Sequence, residues 1–278
     1  MTKYKKSNNG AAKLLGQSFK KLRIGPMQGY LNFAVAPLLS RKKKKSGPDY
    51  LTLREALSDD LIDVVEVSEG GSVPDLRVVN KSSTHNVLLI DGEELLGAKQ
   101  NRVLNASVLV AANTEVFVPV SCSEQGRWSY KSPKFHDSDK IMAREIRRRK
   151  SKSVSDSLHM DDGYLSDQSE VWAEIHKMQS SLNTHSPTSA MSDSYEARAH
   201  ELNEYVSSCP LLPEQLGLVA FLNGKVAGCE MLSRPEAYGQ VHRKVVQSYA
   251  VEALHHRRPS SEFPSPEKAQ AFLKGVCS

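Results

Sequence analysis

Cysteine is scarce and scattered in this 278-residue chain: Cys122, Cys209, Cys229 and Cys277, with no two close enough to form a C-x-x-C pair. That spacing supports neither a disulfide framework nor a zinc knuckle, and it points to a reduced, cytoplasmic protein. Long apolar runs are missing too. None approaches the roughly 20 residues that a membrane helix requires, so no membrane span is expected. The opening MTKYKKSNNGAAKLLGQSF is basic but has no sustained apolar core, which argues against a secretory signal. Its four lysines and lack of acid before Phe19 are compatible with an amphipathic transit peptide; a flexible basic terminus over residues 1–17 is the reading preferred. The nine histidines form no H-x-x-x-H or H-E-x-x-H pattern, and His255-His256 is read as an exposed pair, so no metal site is expected. P-loop, G-x-G-x-x-G, G-x-S-x-G and kinase signatures are all absent, and no cofactor is implied.

What remains is an ordinary globular composition, 39% hydrophobic and 25% charged, with a net charge of +5. That charge suits an anionic ligand but does not by itself point to nucleic acid. The first half reads as strands. Residues 31–39 form a continuous apolar run, followed by the basic patch 41–45 and the turn Ser46-Gly47-Pro48-Asp49, which place the patch in an exposed loop. Strands are expected at residues 62–67, 76–80 and 87–90. Residues 103–110 and 116–120 then alternate with a period of two, joined by a hairpin at Ala111-Ala112-Asn113-Thr114.

After Trp128 the period changes. KIMAREIRRRK (140–150) predicts a basic helix, and residues 151–168 an irregular segment. Val171, Ile175, Met178 and Leu182 define one amphipathic helix; Tyr195, Ala199, Leu202 and Val206 define another, with Asp193 as its cap. Asn223-Gly224 joins a hairpin of residues 215–222 and 225–231, because a type I′ turn needs positive φ at both positions. Residues 236–254 predict a last long helix, with Val241, Val245, Tyr249 and Ala253 on its buried side. The fold class is therefore α+β: an antiparallel β-sandwich or barrel-like sheet covered by several helices from the second half. Residues 18–254 are read as a single domain (β-rich 18–128, helical 137–208, hairpin 214–231, helix 236–254), with 255–278 a polar tail.

The chemistry concentrates in two strings. DGEELLGAKQNR (91–102) packs polar side chains between two buried strands, and CSEQGRW (122–128) ends the next strand in the same manner. If these strands pair, Arg102 meets Ser121–Glu124 at one end of the sheet. Lys99, Arg102 and Arg127 then face Glu93, Glu94 and Glu124. Arginine forks suit carboxylate or phosphate, a carboxylate beside a cation suits general-base work, and Trp128 suits stacking on a base or sugar. The competing view is that these charges pair with one another and with turn backbone. A ligand is favoured for the set as a whole, because burying so many polar groups for structure alone is costly. Cys122 with His136 as base has the residue types of a nucleophile pair, but a buried free cysteine is the reading preferred.

These strings resemble a known family, the ARG- and rhodanese-phosphatase-superfamily-associated protein domain, where ARG stands for ADP-ribosylglycohydrolase. DGEELLGAKQNR and PVSCSEQGRW (119–128) carry the resemblance. SDQSEVW (166–172), SPTSAMSDSYE (186–196) and the PEQLGLVAFLNGKVAG hairpin (213–228) extend it over residues 19–254. It implies an association with ADP-ribose- and NAD-related enzymes. It also implies a functional set of Glu93, Lys99, Gln100, Asn101, Arg102, Glu124, Gly126, Arg127 and Trp128, with Glu93, Lys99 and Glu124 as the catalytic candidates and the others binding ligand. Arg144, Lys150, Ser157, Asp167 and Gln168 fall in family-like positions, which implies that residues 151–168 and 186–193 are ordered loops near the site. Members of the family are expected to continue past a segment like Ala271-Phe272-Leu273, so the resemblance implies an edge strand beyond Ser278.

Two functions follow as expectations. One is binding or processing of a small anionic, ADP-ribose- or nucleotide-like ligand. The other is a non-catalytic interaction module with a structural polar core. Nucleic-acid binding by the 41–45 and 144–152 patches lacks an aromatic platform and is not expected.

Overall fold

The computed structural model describes residues 14, 16–41, 49–67, 74–255 and 263–276. Most of the basic N-terminus, Lys42 to Lys45 with the turn after them, His256 and Cys277 lie outside the described residues. In chain order come β1 (Leu22–Ile24), β2 (Gln28–Tyr30), β3 (Phe33–Ser40), β4 (Tyr50–Thr52), a short helix Leu53–Ser58, β5 (Ile62–Glu66), β6 (Asp75–Asn80) and β7 (Asn86–Leu89). Next are β8 (Glu93–Leu96), β9 (Arg102–Leu104), β10 (Val108–Val110), β11 (Thr114–Cys122) and β12 (His136–Ile141). Helices Arg144–His159, Gln168–Leu182, Met191–Ala197 and Ala199–Ser207 follow. β13 (Gln215–Leu222) and β14 (Lys225–Met231) precede helices Pro235–His255 and Pro266–Gly275. This is the expected α+β class, with antiparallel, curled sheets and the longer helices in the second half.

The described residues fall into two compact units: those within 1–47, 204–246 and 256–278 make one, and those within 48–203 and 247–255 make the other. The first contains a five-stranded sheet of order β1-β3-β13-β14, with β2 also on β3. The apolar run of β3 is its centre, buried on both faces. Ala34, Ala36 and Leu38 pack with Val219, Phe221, Ala269 and Leu273. The β13–β14 hairpin closes as its sequence requires: Asn223 and Gly224 sit at φ 49° and 74°, the left-handed pair of a type I′ turn.

The second unit has a six-stranded sheet of order β12-β8-β9-β11-β6-β5 and a three-stranded sheet of order β10-β7-β4. Leu76, Val78, Leu95, Leu104, Val118 and Val120 from the first meet Val87, Leu89 and Val110 from the second in one core. Burial of each such side chain contributes roughly 1.5–3 kcal/mol. β4 and β7 run parallel, an exception in an otherwise antiparallel set. Asp167 accepts from the Glu170 amide to start the Gln168–Leu182 helix, whose Val171, Ile175, Met178 and Leu182 are buried as their spacing predicts.

Four local expectations are corrected. Residues 103–110 are not one strand: β9 pairs with β11, while β10 leaves for β7 in the other sheet. The break falls at Asn105, whose side chain accepts from Ser121 Oγ (2.6 Å) and donates to the Tyr164 carbonyl (3.1 Å). The turn at Ala111 to Thr114 is consequently a corner between sheets, not a hairpin. The basic helix begins at Arg144 rather than Lys140, because β12 completes the edge beside β8, and it runs on through the supposedly irregular segment to His159. The 193–206 helix divides near Arg198, and its first piece starts at Met191 after Ala190, not at Asp193.

Gly224→Ala should cost about 1 kcal/mol, because a Cβ disfavours the left-handed backbone. Urea titration checks it: a lower midpoint with unchanged slope is expected.

Candidate functional site

The two polar strings do meet. β9 and β11 pair with Arg102 opposite Cys122 and Val103 opposite Ser121, and the Ser123 amide donates to the Asn101 carbonyl at 3.0 Å. The side chains, however, divide between the two faces of the sheet. Leu95, Arg102 and Cys122 lie in one cross-strand row, and Glu94, Val103 and Ser121 in the next. Successive residues alternate in direction, so the Arg102 row joins Leu104 and Val120 on the core face, and the Glu94 row points to the opposite face.

On the core face, Arg102 is fully buried. It contacts Glu66 Oε1 at 3.4 Å, Gln100 Oε1 at 3.2 Å and Cys122 Sγ; its Nε finds no partner among the described residues. Burial pushes the Cys122 thiol up, against the opposing pull of Arg102. His136 sits opposite Leu96 on the other face, so the sheet separates it from Cys122. Glu93 closes a turn: its Oε2 accepts from the Ile90 amide at 2.8 Å, beside Gly92 at φ 84°.

On the other side, a cavity of about 520 Å³ opens among Leu96, Gly97, Asn101, Glu124, Arg127, Lys131, Ser132 and His136 on the strand side, with Pro187, Thr188, Ala190, Ser192, Asp193 and Glu196 across from them. Arg127 is its keystone. Nε and Nη2 hold Glu124 Oε2 at 2.9 and 2.6 Å. Nη1 donates to the carbonyls of Ala98 (2.7 Å) and Ser129 (2.8 Å), and Nη2 to the Gly97 carbonyl and Asn101 Oδ1 at 3.3 and 3.0 Å. Glu124 also accepts from the Asn101 amide (3.1 Å) and Thr188 Oγ1 (2.7 Å). Burial pushes the Glu124 carboxyl up, but the hydrogen bonds from Arg127, Thr188 and Asn101 outweigh it and hold the group below its ordinary range.

The segment across the cavity is stitched to the same corner. Glu124 forms a β-bridge with Ala190, the Gly126 amide donates to the Thr188 carbonyl at 2.7 Å, and the Met191 amide donates to the Ser123 carbonyl at 2.9 Å. A Cβ at Gly126 would come within 3.0–3.2 Å of the Thr188 backbone, which explains the glycine. β11 outruns β6 by three residues, leaving the Cys122 backbone open on that side. The Gln168 side chain takes both groups, accepting from the amide at 2.7 Å and donating to the carbonyl at 2.9 Å. Lys150 is buried likewise, on Asp91 and the Leu104 carbonyl. Between the lining residues Arg127 and Lys131 in sequence stands an exposed stack, with Trp128 and Tyr130 each about half exposed and Lys99 Nζ 5.5 and 5.4 Å from their ring centroids.

Of the residues singled out from the sequence, Asn101, Glu124 and Arg127 therefore line the cavity, and Gly126 carries its covering segment. Lys99 and Trp128 form the neighbouring platform. Gln100 bridges Arg102 to the Gln125 carbonyl (3.2 Å) behind it. Arg102 and Glu93 point elsewhere. Lys131 and Ser132 carry no sequence signal of a site, since no local motif marks their loop; Ser192, Asp193 and Glu196 fall in the SPTSAMSDSYE string, whose residues 186–193 the resemblance sets near the site. Glu94, rather than Glu93, lies on the face of β8 that Leu96 presents to the cavity, behind the lining residues rather than among them. It is fully buried, accepts from Ser123 Oγ at 2.7 Å, and its Oε2 makes no close hydrogen bond among the described residues. Burial raises its carboxyl to about 7, with Ser123, Lys140 and Ser138 opposing and Glu124 reinforcing the shift. Strand parity is the available signal: Glu94 and Leu96 alternate against the apolar Leu95.

The fold and site thus define an α+β protein with a polar cavity held by a buried ion pair. The chain matches the ARG and Rhodanese-Phosphatase-superfamily-associated Protein domain over residues 21–278, and it belongs to that family. The family's name indicates association with the ADP-ribosylglycohydrolase and rhodanese-phosphatase superfamilies. No curated protein and no solved structure matches the chain. Among the described residues, no helix is long and apolar enough to cross a membrane, and no group of three His, Cys, Asp or Glu side chains is placed to hold a metal ion.

Arg127→Ala should cost roughly 3–5 kcal/mol, since it strands the Glu124 charge and several carbonyls; Arg127→Lys should recover little, lacking the planar fork. Chemical denaturation checks both. Glu94→Gln should act in the opposite sense. An unfolded glutamate releases its proton near 4.5, whereas the folded chain retains it to about 7. Native stability therefore declines between those pH values and stays lowered above them. The variant should gain nothing below pH 4 and on the order of 1–3 kcal/mol at pH 8, read from denaturation at both pH values.

Proposed function

We propose that this protein binds, and through that binding serves the processing of, an ADP-ribose- or other nucleotide-like anionic ligand at the 96–136/187–196 cavity. One observation carries the reading: a cavity of about 520 Å³ is lined by Arg127 and Lys131, which flank in sequence the half-exposed rings of Trp128 and Tyr130, each with Lys99 over it. The volume falls within the roughly 300–1,000 Å³ usual for small-molecule sites. Trp128 offers a face for a base. Lys99, Lys131 and His136 supply the donors for a pyrophosphate, and Asp193, Glu196 and Asn101 the acceptors for sugar hydroxyls. Glu124 and Arg127 fix the cavity's shape, each engaged by the other. Lys99 and Glu124 remain the catalytic candidates on the cavity side, whereas Glu93 is occupied at its turn.

The family's association supports ADP-ribose-processing enzymes as functional partners of this chain. A reducing, cytoplasmic setting accords with Cys122, Cys209 and Cys229, which are free thiols. The competing reading, an interaction module with a structural polar core, draws on the saturation of Arg127. It assigns the exposed Trp128–Tyr130 patch to a protein partner instead.

A thermal-shift series with ADP-ribose, NAD and mononucleotides separates the two. A ligand present at about 100 times its Kd should stabilise the fold by about 2.7 kcal/mol and raise Tm by several degrees. Trp128→Ala should weaken that ligand about tenfold or more, with the unliganded Tm unchanged. No shift with any member of the series would leave the interaction module as the better account.

A further inference from the structure

We propose that Glu94 is a specificity-determining residue of this cavity: as a neutral carboxylic acid it keeps the strand-side wall receptive to an anion, and its ionisation, by placing a second negative charge behind Glu124, drives that anion out. The inference rests on the ligand reading above and deepens it, since it makes anion binding proton-linked and assigns the proton to one residue.

The geometry isolates Glu94 from the structural work done by its neighbours. Glu124 is held anionic by Arg127, Thr188 and the Asn101 amide. Glu94 accepts from Ser123 and has the Ser138 side chain beside it, and its buried Oε2 makes no close hydrogen bond among the described residues. An unpaired buried carboxyl detracts from stability, so packing alone does not account for it. Its position accounts for it better. Glu94 lies on the same strand and face as Leu96, which lines the cavity. Its donor, Ser123, precedes Glu124 and takes the Met191 amide on its carbonyl.

The charged and titratable groups facing Glu94 are few. From β12 comes Lys140, which is itself 3.4 Å from Glu196 on the cavity wall. From the end of β11 comes Glu124. From the Met191–Ala197 helix comes Tyr195, whose hydroxyl donates to the Ile141 carbonyl at 2.7 Å and which its own burial, reinforced by Glu94 once that group is ionised, keeps protonated. Arg147 acts on Tyr195 from the Arg144–His159 helix. Lys140, the facing cation on β12, is shared with Glu196, so an ionised Glu94 adds net negative charge to the wall. In a dry interior that charge is poorly screened.

The test is calorimetric titration of the full chain with ADP-ribose between pH 6 and 8.5. Each of its two phosphates carries one ester and one anhydride bond and keeps a single strongly acidic oxygen, so the ligand's own charge is constant across that range. Wild-type affinity should be flat below pH 7 and fall up to about tenfold per pH unit above it. Proton uptake on binding at pH 8, measured in buffers of different ionisation enthalpy, should approach one. Glu94→Gln, which keeps the shape without the ionisation, should bind as wild type at pH 6 and lose both the slope and the proton uptake. His136→Gln is the control, because His136 lines the same cavity; it should weaken binding yet keep the slope. A pH-flat wild type overturns the inference, as does a slope that survives Glu94→Gln or vanishes in His136→Gln, while the ligand reading stands in each case. Absence of ADP-ribose and NAD binding at every pH removes both.

Discussion

The buried pair of Arg127 and Glu124 is the constraint on which the rest of the site depends. Neither charge can be taken from water unless its remaining hydrogen-bonding capacity is met. Arg127 meets it with the carbonyls of Gly97, Ala98 and Ser129 and the amide oxygen of Asn101. Glu124 meets it with Asn101 and Thr188. Satisfying one ion pair thereby ties together the loop after β8, the turn after β11 and the segment before Met191. The cavity is the space these three leave once they are tied.

The same sheet handles burial of charge in two ways. On its core face Arg102, Glu66, Gln100 and Cys122 form a buried polar island that belongs to the interior of the sandwich, with Arg102 Nε and Glu66 Oε2 left unpartnered among the described residues. On the opposite face Glu124 is saturated and anionic, while Glu94 is under-bonded and holds its proton to about 7. Neighbouring carboxyls driven apart by their surroundings are the usual way in which one scaffold keeps both a charged and a neutral acid near physiological pH. Residues that resemble functional positions also prove to be anchors. Gln168 completes the open backbone of Cys122, and Lys150 braces its helix against Asp91 and Leu104.

Much of the fold was legible because local rules and tertiary context agreed. The Asn223-Gly224 turn, the double-sided burial of β3 and the Val171–Leu182 stripe needed only backbone stereochemistry and apolar period. Legibility failed where polar residues served the interior rather than solvent. Asn105 and Ser107 fit an alternating strand, yet they bond to Ser121, Tyr164 and Asp91 and turn the chain into a second sheet. Residues 140 and 141 sit within a basic, helix-like string but complete a sheet edge, because pairing with β8 outweighs a weak local propensity.

By itself the sequence determined that two polar strings adjoin strand-like segments and that helices from the second half cover a sheet. Those properties are short-range: period, turn chemistry and composition suffice. Only the tertiary structure decided which acid does what. Strand parity sends Glu93 to a turn and Glu94 to the cavity side, and Arg102 to the core while Arg127 holds the cavity. Residues more than fifty positions downstream supply the opposite wall. Charge, desolvation and hydrogen bonding at a buried group depend on everything packed around it, and that is a property of the fold rather than of any segment.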